Sequence, residues 1–331
     1  MMGIRFNGLA RAAVLAGSLA IYGFSAQAAE LRMVSGFPDN FIWTVEHAKK
    51  FIEKVEAATK GDVTIAMSGP DTVPTFEQFE PVQAGVFDLL FTHPAYHSGT
   101  TAIGLSIDAI AVDPAKRRDA GIIDFIDRHY QGLGMKLIAA PSTGSKGFRY
   151  YMREPVDPEN SLKGLKIRGT VSYHPMIRAL GGSPVNMPGG EVYSALQKGV
   201  VDGAAWALTG AKDFKWYEVA GYLAEPKFGQ VGTMIFMNLD SWEALSDEQK
   251  AAITQAGAEL EVETLQRMDE LAAAELEALL ELGMKMTAFS KADADRFEEL
   301  WASGVWEVSE EKSGDAAKEL RALAKSHGMT N

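Results

Sequence analysis

Short apolar runs alternate along the chain with longer stretches in which apolar residues recur every three or four positions. The short runs are rich in β-branched and aromatic residues and predict buried strands, whereas the longer stretches predict amphipathic helices. Such alternation is typical of α/β folds with mainly parallel sheets. The predicted strands are Leu31–Val34, Val63–Met67, Phe87–Thr92, Lys136–Ala140, Phe148–Met152, Lys166–Arg168, Val185–Met187, Val201–Trp206 and Thr233–Asn238. The predicted helices are Ile42–Ala58, Phe76–Ala84, Arg117–Gly132, His174–Leu180 and Glu191–Lys198, with a further helix after Trp206.

One helical stretch is much longer than the others. Asp247–Leu282 contains a single glycine, Gly257, and no proline, and good helix formers dominate it. Ser246 and Gln249 open it like a capping box, and Gly283 gives a C-terminal signal. A straight helix of about 36 residues is about 54 Å long, which exceeds an ordinary domain diameter. We therefore expect one helix that runs along two lobes, with a break near Gly257 as the alternative.

The first residues predict export. Arg5 and Arg11 give a positive start, Ala12–Phe24 is an apolar run of signal-peptide length, and Ser25–Ala28 ends in a small-x-small cleavage site. A membrane anchor is the alternative, but the run is short for about 30 Å of hydrocarbon. We therefore expect cleavage after residue 28 and leave residues 1–28 out of the fold prediction.

Composition excludes several classes of site and partner. The chain has no cysteine, which rules out disulfides, thiolate nucleophiles, lipoprotein attachment and cysteine metal sites. The net charge is −12, and without Arg5 and Arg11 there remain 30 basic against 44 acidic residues. An acidic surface argues against nucleic acid and against anionic lipid as partners. No later apolar stretch approaches transmembrane length, so we expect a soluble mature chain.

Motifs of enzyme chemistry are missing from the sequence. His93 and His97 are four residues apart, but Pro94 lies between them and no glutamate follows His93, so a zincin-type metal site is not expected. There is no G-x-S-x-G elbow, no P-loop and no G-x-G-x-x-G fingerprint. We expect neither catalysis nor a cofactor or metal, although glycosidase carboxylates carry no short signature.

The most informative stretch is Ser161–Tyr222. It resembles the substrate-binding proteins of tripartite ATP-independent periplasmic (TRAP) transporters, the DctP-type family. Weaker resemblance covers the chain from Leu31 to about Leu300. The matching blocks, in order, are Leu162–Arg168, Ala179–Gly181, Pro184-Val185, Met187-Pro188, Glu191–Tyr193, Ala195–Gln197, Gly199–Gly203 and Tyr217–Val219.

The resemblance implies a two-lobed periplasmic binding protein fold, a clamshell of two α/β lobes with hinge strands and a long helix spanning both. Lobe I is then expected at 29–147 plus about 238–265, and lobe II at 148–237 plus about 266–331. It also implies a periplasmic protein that binds a small organic acid. Such a protein hands the acid to membrane subunits driven by an ion gradient. The sequence does not specify the oligomeric state, and a monomer is the default expectation.

Two arginines are expected to bind the ligand. The family's carboxylate-binding arginine matches Arg168, which ends a β-rich run where strand ends meet a crevice. A guanidinium offers a planar fork for a carboxylate, and a buried carboxylate needs such a partner. The alternative is an arginine in a surface ion pair. Arg149 matches a second ligand-binding arginine more loosely, with Arg153 as a rival and a solvated arginine as the alternative.

Six further residues complete the predicted site. Trp206 stands where relatives often carry a polar residue, which suggests a flatter or more apolar solute, and Gly189-Gly190 replaces bulkier residues and suggests an open pocket floor. For Trp206, His93 and Tyr173, ordinary packing is the alternative. The Leu105–Val112 segment departs from the family pattern, so the solute stays open. The six are Trp206, His93, Phe37, Asn40, Phe148 and Tyr173.

Three other functions remain alternatives. A binding protein of an ATP-driven importer shares the two-lobed pattern, but the Leu162–Arg168 and Glu191–Gly203 blocks and the long helix disfavour it. A sensory subunit that feeds a signalling partner is the second. An enzyme is the third, and turnover of an organic acid would favour it.

Overall fold

The structure is a computed structural model that describes residues 28–230 and 232–330. Its elements form two lobes, each built around one β-sheet. The strands are β1 Ala29–Ser35, β2 Val63–Ser68, β3 Leu89–Thr92, β4 Met135–Ala139, β5 Phe148–Met152, β6 Lys166–Arg168, β7 Ser183–Val185, β8 Gly203–Ala207, β9 Tyr222–Phe228, β10 Met234–Asn238 and β11 Lys285–Ala288. The α-helices are α1 Lys50–Ala58, α2 Phe79–Gln83, α3 Pro114–Asp119, α4 Ile122–Gln131, α5 His174–Ala179, α6 Val192–Gln197, α7 Leu239–Glu243, α8 Asp247–Glu281, α9 Lys291–Ala294 and α10 Phe297–Ser326.

Lobe I contains a five-stranded sheet in the order β2-β1-β3-β10-β4. Strand β1 pairs in parallel with β2 and β3, whereas β10 lies antiparallel between β3 and β4. Every residue of β3 and β10 is buried. Strands covered on both faces read as continuous apolar runs, which is why the sequence revealed them.

Lobe II contains a six-stranded sheet in the order β11-β9-β5-β8-β6-β7. Strand β9 was not predicted, because Pro226 interrupts its pattern and proline cannot donate to a ladder. The register between β5 and β9 shifts here, from Phe148 opposite Phe228 to Tyr150 opposite Ala224. This irregularity accommodates the proline within a strand that has neighbours on both sides.

Two short segments, 140–147 and 229–233, carry the chain between the lobes. They pair with each other through an antiparallel bridge between Ser142 and Gly232. The Thr233 amide also donates to the Pro141 carbonyl at 3.1 Å. These crossing segments occupy the place of the predicted hinge strands.

Helix α8 joins the lobes a third time. Glu261 accepts a hydrogen bond from the Ala140 amide at 2.7 Å, on the lobe I side. Two turns later, Asp269 accepts from the Ser145 hydroxyl at 2.8 Å, at a crossing segment. Acidic side chains along α8 thus contact lobe I and the hinge in turn, and the helix spans both lobes as predicted.

Gly257 does not break α8. It is buried, and a Cβ atom there would lie 2.8 Å from the carbonyl oxygen of Ile138. The glycine therefore allows the helix to approach β4 closely.

The structure departs from the sequence prediction in further places, and β11 and α10 were not predicted. Gly121, at φ +70°, separates α3 from α4, where one helix was predicted. Turns and a 3₁₀ segment, Trp216–Glu218, replace the helix predicted after Trp206. Strand β10 belongs to the first sheet, so the chain returns to lobe I before Met234 rather than at about residue 238. The other lobe limits remain predictions.

The predicted signal peptide lies outside the described residues, apart from its last residue, Ala28. Within the described part of the chain, no helix combines the length and apolar character needed to cross a membrane.

Candidate ligand-binding site

A small cavity lies between the lobes, where β3 and β6 end. Lobe I contributes Trp43, His93 and Tyr96 to its lining. Lobe II contributes Phe148, Arg168, Thr170, Tyr173 and Trp206. Five of the eight lining residues are among those predicted from the sequence.

Arg168, the last residue of β6, is completely buried. Its Nε and Nη2 donate to the Met187 carbonyl at 3.0 and 2.9 Å, and its Nη1 donates to the Ala205 carbonyl at 3.0 Å. No carboxylate of residues 28–230 or 232–330 forms an ion pair with it. A guanidinium has five N–H donors, so the carbonyls leave one on each terminal nitrogen, and the Tyr96 side chain is a further hydrogen-bond partner of the guanidinium.

The surroundings of Arg168 are aromatic. Its guanidinium carbon lies 4.8 Å from the ring centroid of Trp206. Burial lowers the pKa of Arg168, and the neighbouring Tyr96 and Tyr173 partly offset this effect. Burial likewise raises the pKa of Tyr96 to about 12 against the nearby Arg168 charge. Both tyrosines are therefore neutral at physiological pH, and neither supplies a counter-charge.

Trp206 and Trp43 close the cavity from opposite lobes. Their rings are stacked, with centroids 5.3 Å apart and planes 7° apart. Both indoles are held by Thr209: its hydroxyl accepts from Trp43 at 2.9 Å and its carbonyl from Trp206 at 3.1 Å. Gly189 does not open the pocket floor as expected, because a Cβ there would lie 2.8 Å from the Trp206 ring. Instead, this glycine makes room for the indole.

His93 follows β3 directly and is oriented through both ring nitrogens. Its Nδ1 accepts from the Ala95 amide at 3.2 Å, so Nε2 carries the hydrogen in the neutral ring and faces the Asp108 carboxylate at 3.0 Å. Asp108 has a fully buried side chain and also accepts from the Gly232 amide in the hinge at 3.0 Å. The geometry leaves His93 as a wall of the cavity rather than as a free donor.

The remaining lobe II wall comes from Phe148 and the loop after β6. The rings of Phe148 and Tyr173 meet edge to face at 5.0 Å. Trp301 of α10 packs on both rings from behind, with its centroid 4.7 Å from Phe148 and 5.1 Å from Tyr173. Thr170 lies two residues beyond Arg168 and presents a buried hydroxyl. This wall is thus supported by packing on the C-terminal helix.

Three predicted site residues do not line the cavity. Arg149 pairs with Glu225 at 3.3 Å on the neighbouring strand β9, so the geometry favours a structural ion pair over ligand binding. Phe37 is buried in an aromatic cluster against Phe41 and Trp43. Asn40 is exposed at the surface. The loop after β1 therefore contributes Trp43, a few residues further on, instead of the two residues predicted.

Sequence reasoning missed Trp43, Tyr96 and Thr170. Thr170 carried a usable signal, because it is a polar residue just beyond the strand end that bears Arg168. Trp43 and Tyr96 lie at the starts of helical segments, where an aromatic residue usually signals core packing. Only contact with the opposite lobe gives them a role in the cavity.

The arrangement suits the binding of an anion. None of the described residues that line the cavity is acidic, and the one permanent charge among them is the cation of Arg168. Within the described residues there is no group of three or more His, Asp or Glu side chains that could hold a metal ion. Two α/β lobes around a buried cationic cavity define a two-lobed solute-binding protein.

The chain belongs to the bacterial extracellular solute-binding protein family 7 (DctP), whose model matches residues 37–312. This confirms the resemblance drawn from Ser161–Tyr222. Among curated relatives, a monocarboxylate 2-oxoacid-binding periplasmic protein of Nostoc sp. is 25% identical over 279 residues, which cover 78% of this chain and 74% of the relative.

Solved structures confirm the fold. A TRAP periplasmic solute binding protein from Desulfovibrio salexigens, with bound orotic acid, superposes with a TM-score of 0.80 at 22% identity over 90% of this chain and 98% of its own. A Bordetella pertussis extracytoplasmic solute receptor binding pyroglutamic acid gives 0.79 at 20% identity over 90% of this chain and all of its own. The predicted two-lobed periplasmic binding protein fold is therefore correct.

Proposed function

We propose that this chain is the periplasmic component of a TRAP-type secondary transporter that captures a small organic acid through Arg168 and delivers it to the membrane subunits. Family membership supports the transport role. The relatives named above bind, by their descriptions, 2-oxoacids, orotic acid and pyroglutamic acid. Receptors of this family are binding proteins, so the chain acts by stoichiometric capture rather than by catalysis.

The buried guanidinium of Arg168 is the observation that carries the proposal. Burying a charge without a partner is costly, and the described residues offer Arg168 carbonyls but no carboxylate. The N–H groups that the carbonyls do not occupy are shared with Tyr96 and can donate charge-assisted bonds to a ligand carboxylate. A ligand carboxylate would supply the missing counter-charge.

Closure of the lobes supports capture. The Ile42 amide of lobe I donates to Asp213 of lobe II at 2.9 Å, and the rings of Phe41 and Phe214 stack at 4.7 Å. Because these contacts enclose the cavity, a ligand enters only when the lobes separate. The ligand then shifts the population toward the closed form by its higher affinity for that form.

Titration calorimetry with a panel of organic acids tests capture. We expect one acid to bind per chain, and small-angle scattering to show a decrease in the radius of gyration on binding. Nuclear magnetic resonance of the acid should show it chemically unchanged after hours with the protein. Conversion of the acid would favour an enzyme, and a panel without any binder would contradict carboxylate capture.

Delivery needs a separate measurement. Proteoliposomes that contain the TRAP membrane subunits should accumulate the labelled acid only when this protein and an ion gradient are both present. Equal uptake without the protein would contradict the transport part of the proposal. Recovery of the protein from the periplasmic fraction, beginning at residue 29, would test export and cleavage.

A further inference from the structure

The charge of the cavity limits the chemical classes of ligand more than family membership does. Among the described residues that line the cavity, Arg168 is the only arginine or lysine. Arg149, the other buried arginine on this sheet, is paired with Glu225 and lines no part of the cavity. The cavity can therefore neutralise one ionised acid group.

The rest of the lining is aromatic. Trp43 and Tyr96 from lobe I face Phe148, Tyr173 and Trp206 from lobe II. A second ionised carboxylate would lie against these rings without a cation, and an unpaired buried charge is strongly unfavourable. Single hydroxyl or keto oxygens are different, because the tyrosine hydroxyls can donate to them.

Asp108 adds to the discrimination. Its fully buried carboxylate lies behind His93, which it contacts at 3.0 Å. Burial raises the pKa of Tyr173 in the cavity wall, the Arg168 charge opposes this rise, and the Asp108 charge adds to it. A second anionic group on the ligand would be repelled from this side.

The cavity is also small. The space that a water-sized sphere can occupy in it is about 10 Å³, close to the minimum for one water molecule. The lining must therefore move apart to admit an acid, and it must move least for a compact one. The Trp206 ring already contacts the Trp43 indole at 5.3 Å and the Arg168 guanidinium carbon at 4.8 Å. In the closed form the two stacked indoles leave no space between their rings, and the flatter solute suggested by the sequence stays a prediction.

We infer that the ligand is a compact monocarboxylate whose acid group binds Arg168 and whose short apolar or singly polar remainder contacts the aromatic lining. Acids with a second ionised group are rejected because the cavity has no second cation. This inference rests on the proposed function, since it specifies the acid that the same site would capture.

Matched pairs of acids test the charge requirement. In each pair, a carboxylate replaces the terminal methyl group: propanoate and malonate, butanoate and succinate, 2-oxobutanoate and oxaloacetate. In the pair that binds most tightly, we expect titration calorimetry to give the monoacid an affinity at least about a hundredfold higher than that of its dicarboxylate. The dianion would bury an unpaired charge. Phenylacetate, with the same charge and a larger body, should bind more weakly than butanoate.

The outcomes distinguish a failure of the monocarboxylate inference from a failure of the proposed function. A dicarboxylate that binds as tightly as its monoacid overturns the inference and leaves carboxylate capture standing. Phenylacetate binding as tightly as butanoate overturns the size limit. If neither acid of any pair binds and larger or dianionic acids outside the pairs do, the inference fails alone. If no acid binds at all, the proposed function fails as well.

Asp108→Asn provides a variant of the same test. This substitution keeps the size of the side chain and removes its charge. The ratio of butanoate affinity to succinate affinity should therefore fall about fivefold. Thermal unfolding of the unliganded variant controls for folding. An unchanged ratio in a folded variant would show that Asp108 takes no part in the discrimination.

Discussion

The two walls of the cavity differ in what they bring to a ligand. The lobe II wall carries Arg168, the one arginine or lysine among the described lining residues, at the end of a strand whose carbonyl neighbours hold the guanidinium in place. The lobe I wall is formed by Trp43, His93 and Tyr96. The difference suggests an order of events, in which an acid first binds lobe II and closure then covers it with aromatic rings.

The walls also differ in their support. The Arg168 wall is braced by α10 through Trp301 and by α8 through Glu275, which accepts from the Gly210 amide at 2.8 Å. The lobe I wall lies on short helical segments and reaches lobe II through Trp43, which donates to Thr209 and stacks on Trp206. Changes in lobe II should therefore alter affinity through charge, and changes in lobe I through closure.

Removing the charge should have the largest effect. Arg168→Ala should weaken binding of the preferred acid by about 3–5 kcal/mol, more than a hundredfold, because the buried carboxylate loses its partner. The affinity of Arg168→Lys should lie between those of the wild type and Arg168→Ala, since lysine keeps the charge and lacks the planar fork. Titration calorimetry measures both, with circular dichroism as the control for folding. Undiminished binding by a folded Arg168→Ala variant would contradict the conclusion that the lobe II wall supplies the cation that binds the acid.

Support of the lobe II wall should depend on pH through Glu275. Burial raises the pKa of this carboxyl group from 4.5 to about 7, although hydrogen bonds from Lys212 and Gly210 oppose the rise. At pH values between 4.5 and 7, the Glu275 carboxyl group has released its proton in the unfolded chain and keeps it in the folded protein. Stability should therefore fall as pH rises through about 4.5 to 7, by up to roughly 3 kcal/mol.

Urea unfolding of the wild type and Glu275→Gln at pH 5 and pH 8 isolates this effect. Glutamine does not titrate, so the wild type should lose about 2–3 kcal/mol more than the variant between the two pH values. Parallel losses in the two proteins would mean that Glu275 does not set the pH dependence.

Weakening the lobe I wall should have a smaller effect. Trp43→Phe keeps a ring and removes the hydrogen bond to Thr209. This loss should destabilise the closed form relative to the open form by about 1 kcal/mol and lower the affinity about fivefold. Thr209→Val removes the same bond from the other lobe. If the bond is the cause, the double variant should be little worse than either single variant. Faster dissociation in stopped flow would identify closure as the step affected.

The smallest effect is expected at the second arginine. Arg149→Met removes the charge and keeps most of the packing, and binding should stay within about threefold of the wild type because Arg149 pairs with Glu225 outside the cavity. Arg168→Met is the matched comparison on the same sheet. A loss at Arg149 as large as that at Arg168 would return it to the ligand-binding residues and weaken the monocarboxylate inference.

Much of the fold could be predicted because burial leaves a periodic pattern. Strands such as β3 and β10 are buried along their whole length and read as apolar runs. Strand β9 could not be recognised, since Pro226 contradicts a strand and only the irregular register opposite β5 accommodates it. The split between α3 and α4 depends on the left-handed backbone of Gly121.

The site was predictable to the extent that a residue's role follows from its own strand. Arg168 and Trp206 lie on strands of one recognisable segment, and the structure brings both to the cavity. Arg149 and Arg168 look alike in the sequence, because nothing local shows that Glu225 neutralises one and no described carboxylate neutralises the other. Trp43 gains its role only from contact with the opposite lobe.

The sequence by itself determined the family, the two-lobed α/β fold, the long connecting helix and the strand end that carries Arg168, because each depends on local periodicity or on a contiguous block of residues. The tertiary structure alone decided which buried arginine has a carboxylate partner, which aromatic rings meet across the lobes and how little space remains between them. Those properties depend on contacts between residues that are distant in the chain, and burial gives an arginine its need for a counter-charge only after those contacts have formed.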